Sequence, residues 1–448
     1  MIYSFKNDNT LEYNTPLVDY LKIHNNYNDE NLIYSKKYTE GTFSITNPTS
    51  EFKNAYLVNG YPHFDIPLNI CLKEIDFFLN GGNMYNYNFY IRYGDLHPNK
   101  PIPKLGQLRN IILNNSLNYL ILNDVKSFFP IGDISIKSIK SFKEKYNIDI
   151  DEEELFKMIV NDRIPFDIRT KFDEYNTHTI NLIKNYLNNL NLPTDEFVME
   201  SSLYTNQKMY QNLKSDKRFE NELKNNGELK YTLQELMFIK KYAVQENDVL
   251  INIIGANQSD HVLKVNEILN QINFNNDTRF LTYGMCYNAD EMDYKIWSNE
   301  INKFIINNDI KINNKYITPV YLIKLLTVLL NNDNDIDFNK LNKYKNNIKT
   351  ICGLLSNLIY KEEIKIEDND LIKMMALVNY NINRAIEKGS LNYFYKYVLS
   401  IYKEYITNQD KYKNIQGLYF KFMDTCQYRL GLKEENSVKR IIKWNKWF

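Results

Sequence analysis

The stretch Asn99-Lys-Pro-Ile-Pro-Lys-Leu-Gly106-Gln-Leu-Arg-Asn110 collects the residue types that hold a phosphate. A glycine between a strand and a helix lets a ligand approach the backbone closely. The unpaired N–H groups of a helix start favour an anion. Lys100, Lys104 and Arg109 would add positive charge at that spot, although a surface loop with two lysines is the plain alternative. A second set of candidates lies further along. Tyr231 reads as a pocket wall, and Gly255-Ala256 as either a tight turn or a ribose contact. Gln258 and His261 stand one helical turn apart, placed to touch a substrate or simply to cap and pack. Glu200 and Ser201 have the types that stabilise a helix start.

These residues need elements to position them. Asn88 to Tyr93 alternates as a strand, a Pro-rich loop follows from Pro98 to Pro103, and Leu108 to Ile121 has helical spacing. That is the opening of a βαβ unit. Phe128-Phe-Pro-Ile-Gly-Asp133 reads as a strand end broken at Gly132, and Val249 to Ile254 as a buried parallel strand. Gly255-Ala256 closes that strand, and Val262 to Ile272 reads as a helix. Between about 150 and 247 the chain is mostly helical and charged. The first 84 residues mix short strand-like runs such as Phe43 to Ile45 and Tyr56 to Val58 with turns. After about residue 296 amphipathic helical runs alone are expected, which sets a boundary near 300. The expected domains are 1–84, 85–300 and 301–448.

The chain has 448 residues with 55 Lys plus Arg and 55 Asp plus Glu, so its formal net charge is zero. That balance disfavours a global basic coat for nucleic acid or membrane, and an acidic tail, while allowing a local basic face. The longest apolar runs fall short of the roughly 20 residues of a membrane span. The start, MIYSFKNDNTLEY, lacks the pattern of a secretory signal, so a cytoplasmic location is expected. Cys71, Cys286, Cys352 and Cys426 are widely spaced and form no CxxC pair, so buried thiols are expected rather than a zinc ribbon. His24, His63, His97, His178 and His261 form no metal-binding pattern, and no metal site is expected. In the last third, lysines and arginines interleave with Tyr395, Tyr402, Tyr412, Trp444 and Trp447. They read as a solvated face, or as an RNA contact through phosphates and stacking in which Arg440, Lys443 and Trp444 stand out.

Taken in order, the motifs resemble those of the class I arginyl-tRNA synthetase family. The segment Tyr90 to Asn110 resembles that family's strand, Asn-Lys-Pro element, His-x-Gly-His signature and Leu-Arg-Asn. Pro130-Ile-Gly-Asp133 is similar to its Ile-Gly-Asp strand end, and the segment ending Glu200-Ser201 to its Glu-Ser element. Tyr231-Thr-Leu-Gln-Glu235 is similar to its Tyr-Thr-x-x-Asp stretch, and Ile253 to His261 to its last catalytic-strand motif. The helical tail resembles its anticodon-binding domain. The resemblance runs from about residue 77 to 432, and the first 75 residues look like a shortened tRNA-contacting domain.

The resemblance implies an α/β Rossmann-like class I synthetase catalytic domain with a helical insertion, followed by an all-α domain of the anticodon-binding type. It implies ATP with magnesium, an amino acid such as arginine, and tRNA as partners, in a monomer. It assigns Lys100, Lys104 and Gln107 to catalysis and Gly106, Gly255, Ala256, Gln258 and His261 to the nucleotide. Arg92, Asp133, Tyr231 and Glu235 fall to the amino acid. Three departures stand out. The signature histidines become Lys104 and Gln107; an acidic position on the first strand becomes Arg92; and the acidic stretch Tyr287 to Lys295 replaces a Lys-Met-Ser-Lys loop. Lys100 matches the lysine thought to serve members that lack this loop. An Arg92 in place of an acid would repel a guanidinium and favour an anionic or neutral side chain. The alternative is a synthetase-like protein that has lost catalysis and binds tRNA or another RNA, alone or within a larger RNA–protein assembly.

Overall fold

The structure, a computed structural model, describes residues 68–82, 88–121, 125–194, 196–224, 229–242, 245, 248–274, 277–287, 294–331, 334–356 and 370–433, with six short strands before residue 65. Two compact units emerge, one made of residues 85–356 and one of 1–84 with 357–448.

The unit 85–356 is built on five parallel strands: β1 (Asn88–Arg92), β2 (Lys126–Ile131), β3 (Glu196–Met199), β4 (Asp248–Gly255) and β5 (Asp277–Tyr283). Their spatial order is β5-β4-β1-β2-β3, so the winding reverses between β1 and β4. In such doubly wound sheets a crevice opens outside the carboxyl ends of the two strands at the reversal. β4 runs buried along nearly its whole length, and apart from Asp248 and Asn252 its residues are apolar or glycine, as suits a central parallel strand. Helix α1 (Leu105–Ile121) links β1 to β2. Three helices, α2 (Ile136–Tyr146), α3 (Glu152–Val160) and α4 (Phe166–Asn189), form the helical insertion between β2 and β3. Asp151 caps α3 by accepting from the Glu153 and Glu154 amides. Helix α5 (Tyr231–Tyr242) precedes β4, and α6 (Ser259–Gln271) follows it. The core beneath the sheet gathers Phe128, Phe142, Leu155, Phe172, Leu236 and Phe238.

Past residue 296 the chain is not purely helical. Ile336–Asp337 pairs in parallel with Cys286–Tyr287, and Lys311–Ile312 pairs with Lys315–Tyr316. The helix Pro319–Leu329 packs on α1. The break in compact packing therefore falls at residue 356, beyond the boundary near 300 that the loss of apolar strand runs suggests. Two-residue strands carry too little pattern to be seen in sequence.

In the other unit, strands Tyr3–Phe5, Leu11–Tyr13, Tyr61–Phe64 and Tyr56–Val58 form an antiparallel sheet. Helix Leu68–Leu79 packs with the helices Asp370–Ala376, Val378–Glu387 and Gln416–Arg429. Phe78 meets Phe422 with ring centroids 5.3 Å apart. The Asn379 carboxamide donates to the Glu74 carboxylate at 2.8 Å. All four cysteines are free thiols and buried.

Candidate active site

The crevice at the strand reversal holds a cavity of about 600 Å³. Its walls are the ends of β1 and β4, the loop 93–104, the first turns of α1, α5 and α6, and Phe280, Tyr283 and Met285. Of the residues singled out in sequence, the lining includes Arg92, Lys100, Lys104, Gly106, Gln107, Tyr231, Glu235, Gly255, Gln258 and His261. Ala256 and Asp133 are not among them.

One lip is the start of α1. The Leu108 amide donates to the Lys104 carbonyl, which makes Lys104 the N-cap and Gln107 the third helical residue. The Gln107 Oε1 accepts from the Lys104 amide at 3.0 Å, the return half of a capping box. Its Nε2 donates to the Asp95 carbonyl at 2.8 Å. Gln107, expected to present an N–H to phosphate, thus fastens the loop to the helix, because its amide finds two backbone partners within reach. Lys100 and Lys104 remain on the lip with the helix start. Arg109 does not: it is buried, and its guanidinium donates to the carbonyls of Gly284 at 2.5 Å and Asn334 at 2.7 Å. It faces the segment behind α1 and holds it there.

The opposite wall is an ionic cluster. Tyr231, Glu235 and Phe238 lie at positions i, i+4 and i+7 of α5, one stripe of the helix. Tyr231 opens this helix and stands on the cavity wall, as its reading as a pocket wall requires. The Arg92 guanidinium pairs with Glu235 Oε2 and with Asp95 Oδ1 at 2.9 Å, and lies 4.4 Å from the Phe238 ring centre. The Tyr231 hydroxyl donates to Asp95 Oδ2 at 2.8 Å, and its ring sits 4.6 Å from that of His261. Burial alone would lower the Arg92 pKa, but the charges of Glu235 and Asp95 outweigh it and raise it well above its ordinary value. Burial would likewise raise Asp95, yet the Arg92 charge and the Tyr231 hydroxyl hold it below the usual carboxylate range. Burial keeps the His261 imidazole below its ordinary value, so it is neutral at pH 7. Two carboxylates thus face the single guanidinium of Arg92, and the cluster carries a formal charge of −1. The isolated positive charge expected from the sequence is absent from this wall.

Asp133 lies off the cavity, fully buried. Its carboxylate accepts from the Ser201 amide at 2.9 Å, the Ser201 hydroxyl at 2.6 Å and the Asn176 carboxamide at 3.2 Å. Ser201 therefore serves Asp133 and is not the helix cap its type suggested. Burial pushes Asp133 up to about 6. Burial, with the charges of Asp95 and Asp133 nearby, pushes Glu200 up to about 8.

Among the cavity residues that the sequence alone does not assign to a site are Gly94, Asp95, His97, Asn110 and Asn252. Asn252 carried a signal, being a polar residue inside the apolar run of β4, and its side chain is fully buried. Asn110 holds the switch point together, donating to the Ile253 carbonyl at 2.6 Å and accepting from the Gly94 amide at 2.6 Å. His97 stacks on Gly132, where a Cβ would come within 2.4 Å of the imidazole Nδ1.

Of the RNA-contacting candidates, Arg440, Lys443 and Trp444 lie outside the described residues. Tyr395 and Tyr412 are buried, Tyr412 donating to Glu404 at 2.6 Å, so these two rings pack the helical core and offer no stacking surface. Lys411 pairs with Asp370 and Lys413 with Asp410.

No protein-family model matches the chain, and no curated protein sequence matches it. Solved structures do. Arginyl-tRNA synthetase from Plasmodium falciparum superposes with a TM-score of 0.62 at 13% identity, over 86% of this chain and 85% of that one. The Thermus thermophilus arginyl-tRNA synthetase gives 0.56 at 12% identity, over 89% and 88%. At these identities the likeness is one of fold: the chain has an aminoacyl-tRNA synthetase-like architecture, with a parallel sheet, flanking helices and a helical C-terminal region.

Proposed function

We propose that this protein joins an amino acid, arginine or a relative of it, to tRNA through an adenylate made from ATP. The observation that carries the reading is the cavity itself. A helix start with Lys100 and Lys104 forms one lip, and a side-chain socket of Arg92, Asp95, Tyr231 and Glu235 forms the opposite wall, at the reversal of a doubly wound sheet. Such a cavity has the two halves the reaction needs. The amino-acid carboxylate attacks the α-phosphorus, and pyrophosphate leaves. A ribose hydroxyl of the tRNA then attacks the acyl carbon, and AMP leaves. Neither step requires a protein nucleophile; positioning and charge balance suffice. Lys100, Lys104 and the α1 amides would offset the phosphate charge, with magnesium arriving on the nucleotide. Gly255, Gln258 and His261, at the end of β4 and the start of α6, would border the adenosine.

A second reading is favoured by Gln107. Its carboxamide is engaged with backbone at both ends, and the helix start bears lysine where the resembling family bears imidazole. On this reading the fold is kept for holding tRNA or another RNA without catalysis.

ATP–pyrophosphate exchange over the full amino-acid panel, with and without total tRNA, separates the two. Exchange with one amino acid establishes the ligase, and it should be lost in Lys100→Ala. Absence of exchange under every condition, with tRNA still retained in a gel shift, overturns it in favour of the RNA-binding reading.

A further inference from the structure

The socket opposite the α1 lip contains hydrogen-bonding atoms that the described residues leave unused. Asn252 is fully buried, yet among the described residues neither its Oδ1 nor its Nδ2 has a partner. Glu235 Oε1 is likewise unpaired, although its Oε2 holds Arg92. His261 Nε2 is buried and unpaired on the adjoining wall. All three residues line the cavity. Asn252 is the register partner of Arg92 across β4 and β1, so the two side chains stand together on one face of the sheet. A buried carboxamide with both ends idle is costly, and such groups in native proteins usually mark a missing partner.

The pairing in the socket points the same way. A guanidinium is held best by a carboxylate that offers it both oxygens. Here the two carboxylates that line the cavity, Asp95 and Glu235, leave a formal charge of −1 against Arg92, but each gives one oxygen to that guanidinium and Asp95 gives its other to the Tyr231 hydroxyl, so neither can take a second guanidinium through both oxygens. A second guanidinium beside Arg92 would meet like charge in a partly desolvated site. An anion would face Glu235 and Asp95. A neutral group that both donates and accepts meets neither penalty: it can donate to Glu235 Oε1 and the Asn252 carbonyl and accept from the Asn252 amide.

We propose that this socket binds a neutral carboxamide or urea side chain, and that Arg92 is the specificity-determining residue that excludes a cationic one. The proposal rests on the amino-acid reading above and narrows it to the uncharged relatives of arginine.

L-Citrulline and L-arginine make the sharpest probe pair, since they have nearly the same shape and differ in charge. With the full chain, a non-hydrolysable ATP analogue and total tRNA, titration calorimetry should rank L-citrulline or L-glutamine at least about tenfold tighter than L-arginine, the margin one lost or repelled polar contact produces. Arg92→Gln should reverse that order in favour of L-arginine by releasing both carboxylates. Glu235→Gln, which leaves Arg92 without its main partner, should shift preference toward L-glutamate. Tighter binding of L-arginine than of L-citrulline by the wild type overturns the proposal without recourse to any variant. So does an unchanged order in both folded variants. If none of the four amino acids binds while the ATP analogue still does, the socket reading fails and the nucleotide reading stands. If the analogue does not bind either, the ligase reading fails with it.

Discussion

The Asn110 carboxamide donates to the Ile253 carbonyl at 2.6 Å while accepting from the Gly94 amide, so one side chain on α1 ties the ends of the two strands between which the cavity opens. Asn110 is almost fully buried, and water cannot take over either bond. The Gly94 backbone comes so near that a Cβ there would lie 3.1 Å from Asn110 Oδ1. Tertiary packing at the strand reversal is thus fixed by hydrogen bonds, in addition to apolar contact.

Replacing Asn110 by leucine keeps the volume and removes the polar atoms. It would leave the Gly94 N–H and the Ile253 carbonyl buried without partners, at about 1–3 kcal/mol each. The thermal midpoint of Asn110→Leu should fall by several degrees, and affinity for ATP should fall with it, because the loop 93–97 loses its anchor. A midpoint equal to that of the wild type would show that the tie carries no weight.

Arg92 and Glu235 form a buried pair in which each justifies the other's charge. Removing one partner strands a buried charge, at about 3–5 kcal/mol, whereas removing both often costs little. Arg92→Met alone should therefore lower the urea midpoint sharply, while Arg92→Met with Glu235→Leu should recover most of the loss. Equal destabilisation by the single and the double variant would mean that packing, not pairing, sets the cost. Asp95 keeps its Tyr231 bond in both variants, so the comparison isolates the Glu235 half of the cluster.

Part of this architecture is legible in the sequence, for specific reasons. β1 announces itself by its alternation, and β2 and β4 by apolar runs whose ends Gly132 and Gly255 punctuate. β3 and β5 carry no such signal, since Glu196–Met199 is short and Asp277–Tyr283 opens with three polar residues in a row. The cavity's basic lip was readable from Lys100, Lys104 and Gly106. The partner of Arg92 was not: Glu235 lies far along the chain, and only the packing of α5 against β1 brings the two together. Gln107 and Arg109 illustrate the same limit. Their types suit phosphate, but nearby backbone carbonyls and amides claimed them first.

The stacking of His97 on Gly132 sets a steric test. A Cβ at residue 132 would overlap the imidazole, so Gly132→Ala must push His97 away from its place on the cavity wall. Overpacking of this kind costs about 1–3 kcal/mol. His97→Ala removes the obstacle, so the double variant His97→Ala with Gly132→Ala should be more stable than the sum of the single effects predicts. Strict additivity in denaturation midpoints would sink the contact.

The buried acids behind the cavity give the chain a pH dependence whose sign is fixed. Glu200 sits at about 8 and Asp133 at about 6 in the folded protein, against ordinary values of 4.5 and 3.8. The folded state therefore binds more protons than the unfolded chain between those limits, and stability falls as pH rises through them. Their contribution is complete below the ordinary values and is lost once the pH passes the folded ones. His261 acts in the opposite sense, because its folded value lies below 6.5 and its contribution grows as the pH rises toward that point. Asp95, held low by Arg92, adds a dependence only at acidic pH. From about pH 7 to 8 Glu200 dominates, since His261 and Asp133 have both largely finished titrating there, and the thiols of Cys352 and Cys426, raised by burial, add a decline of the same sign only as the pH nears the ordinary thiol value. The melting temperature of the wild type should decline across that interval, and Glu200→Gln, which cannot ionise, should flatten the decline. Persistence of the wild-type slope in Glu200→Gln would place the titrating group elsewhere, whereas a flat profile in both proteins would mean that Glu200 is ionised in the fold and solvated after all.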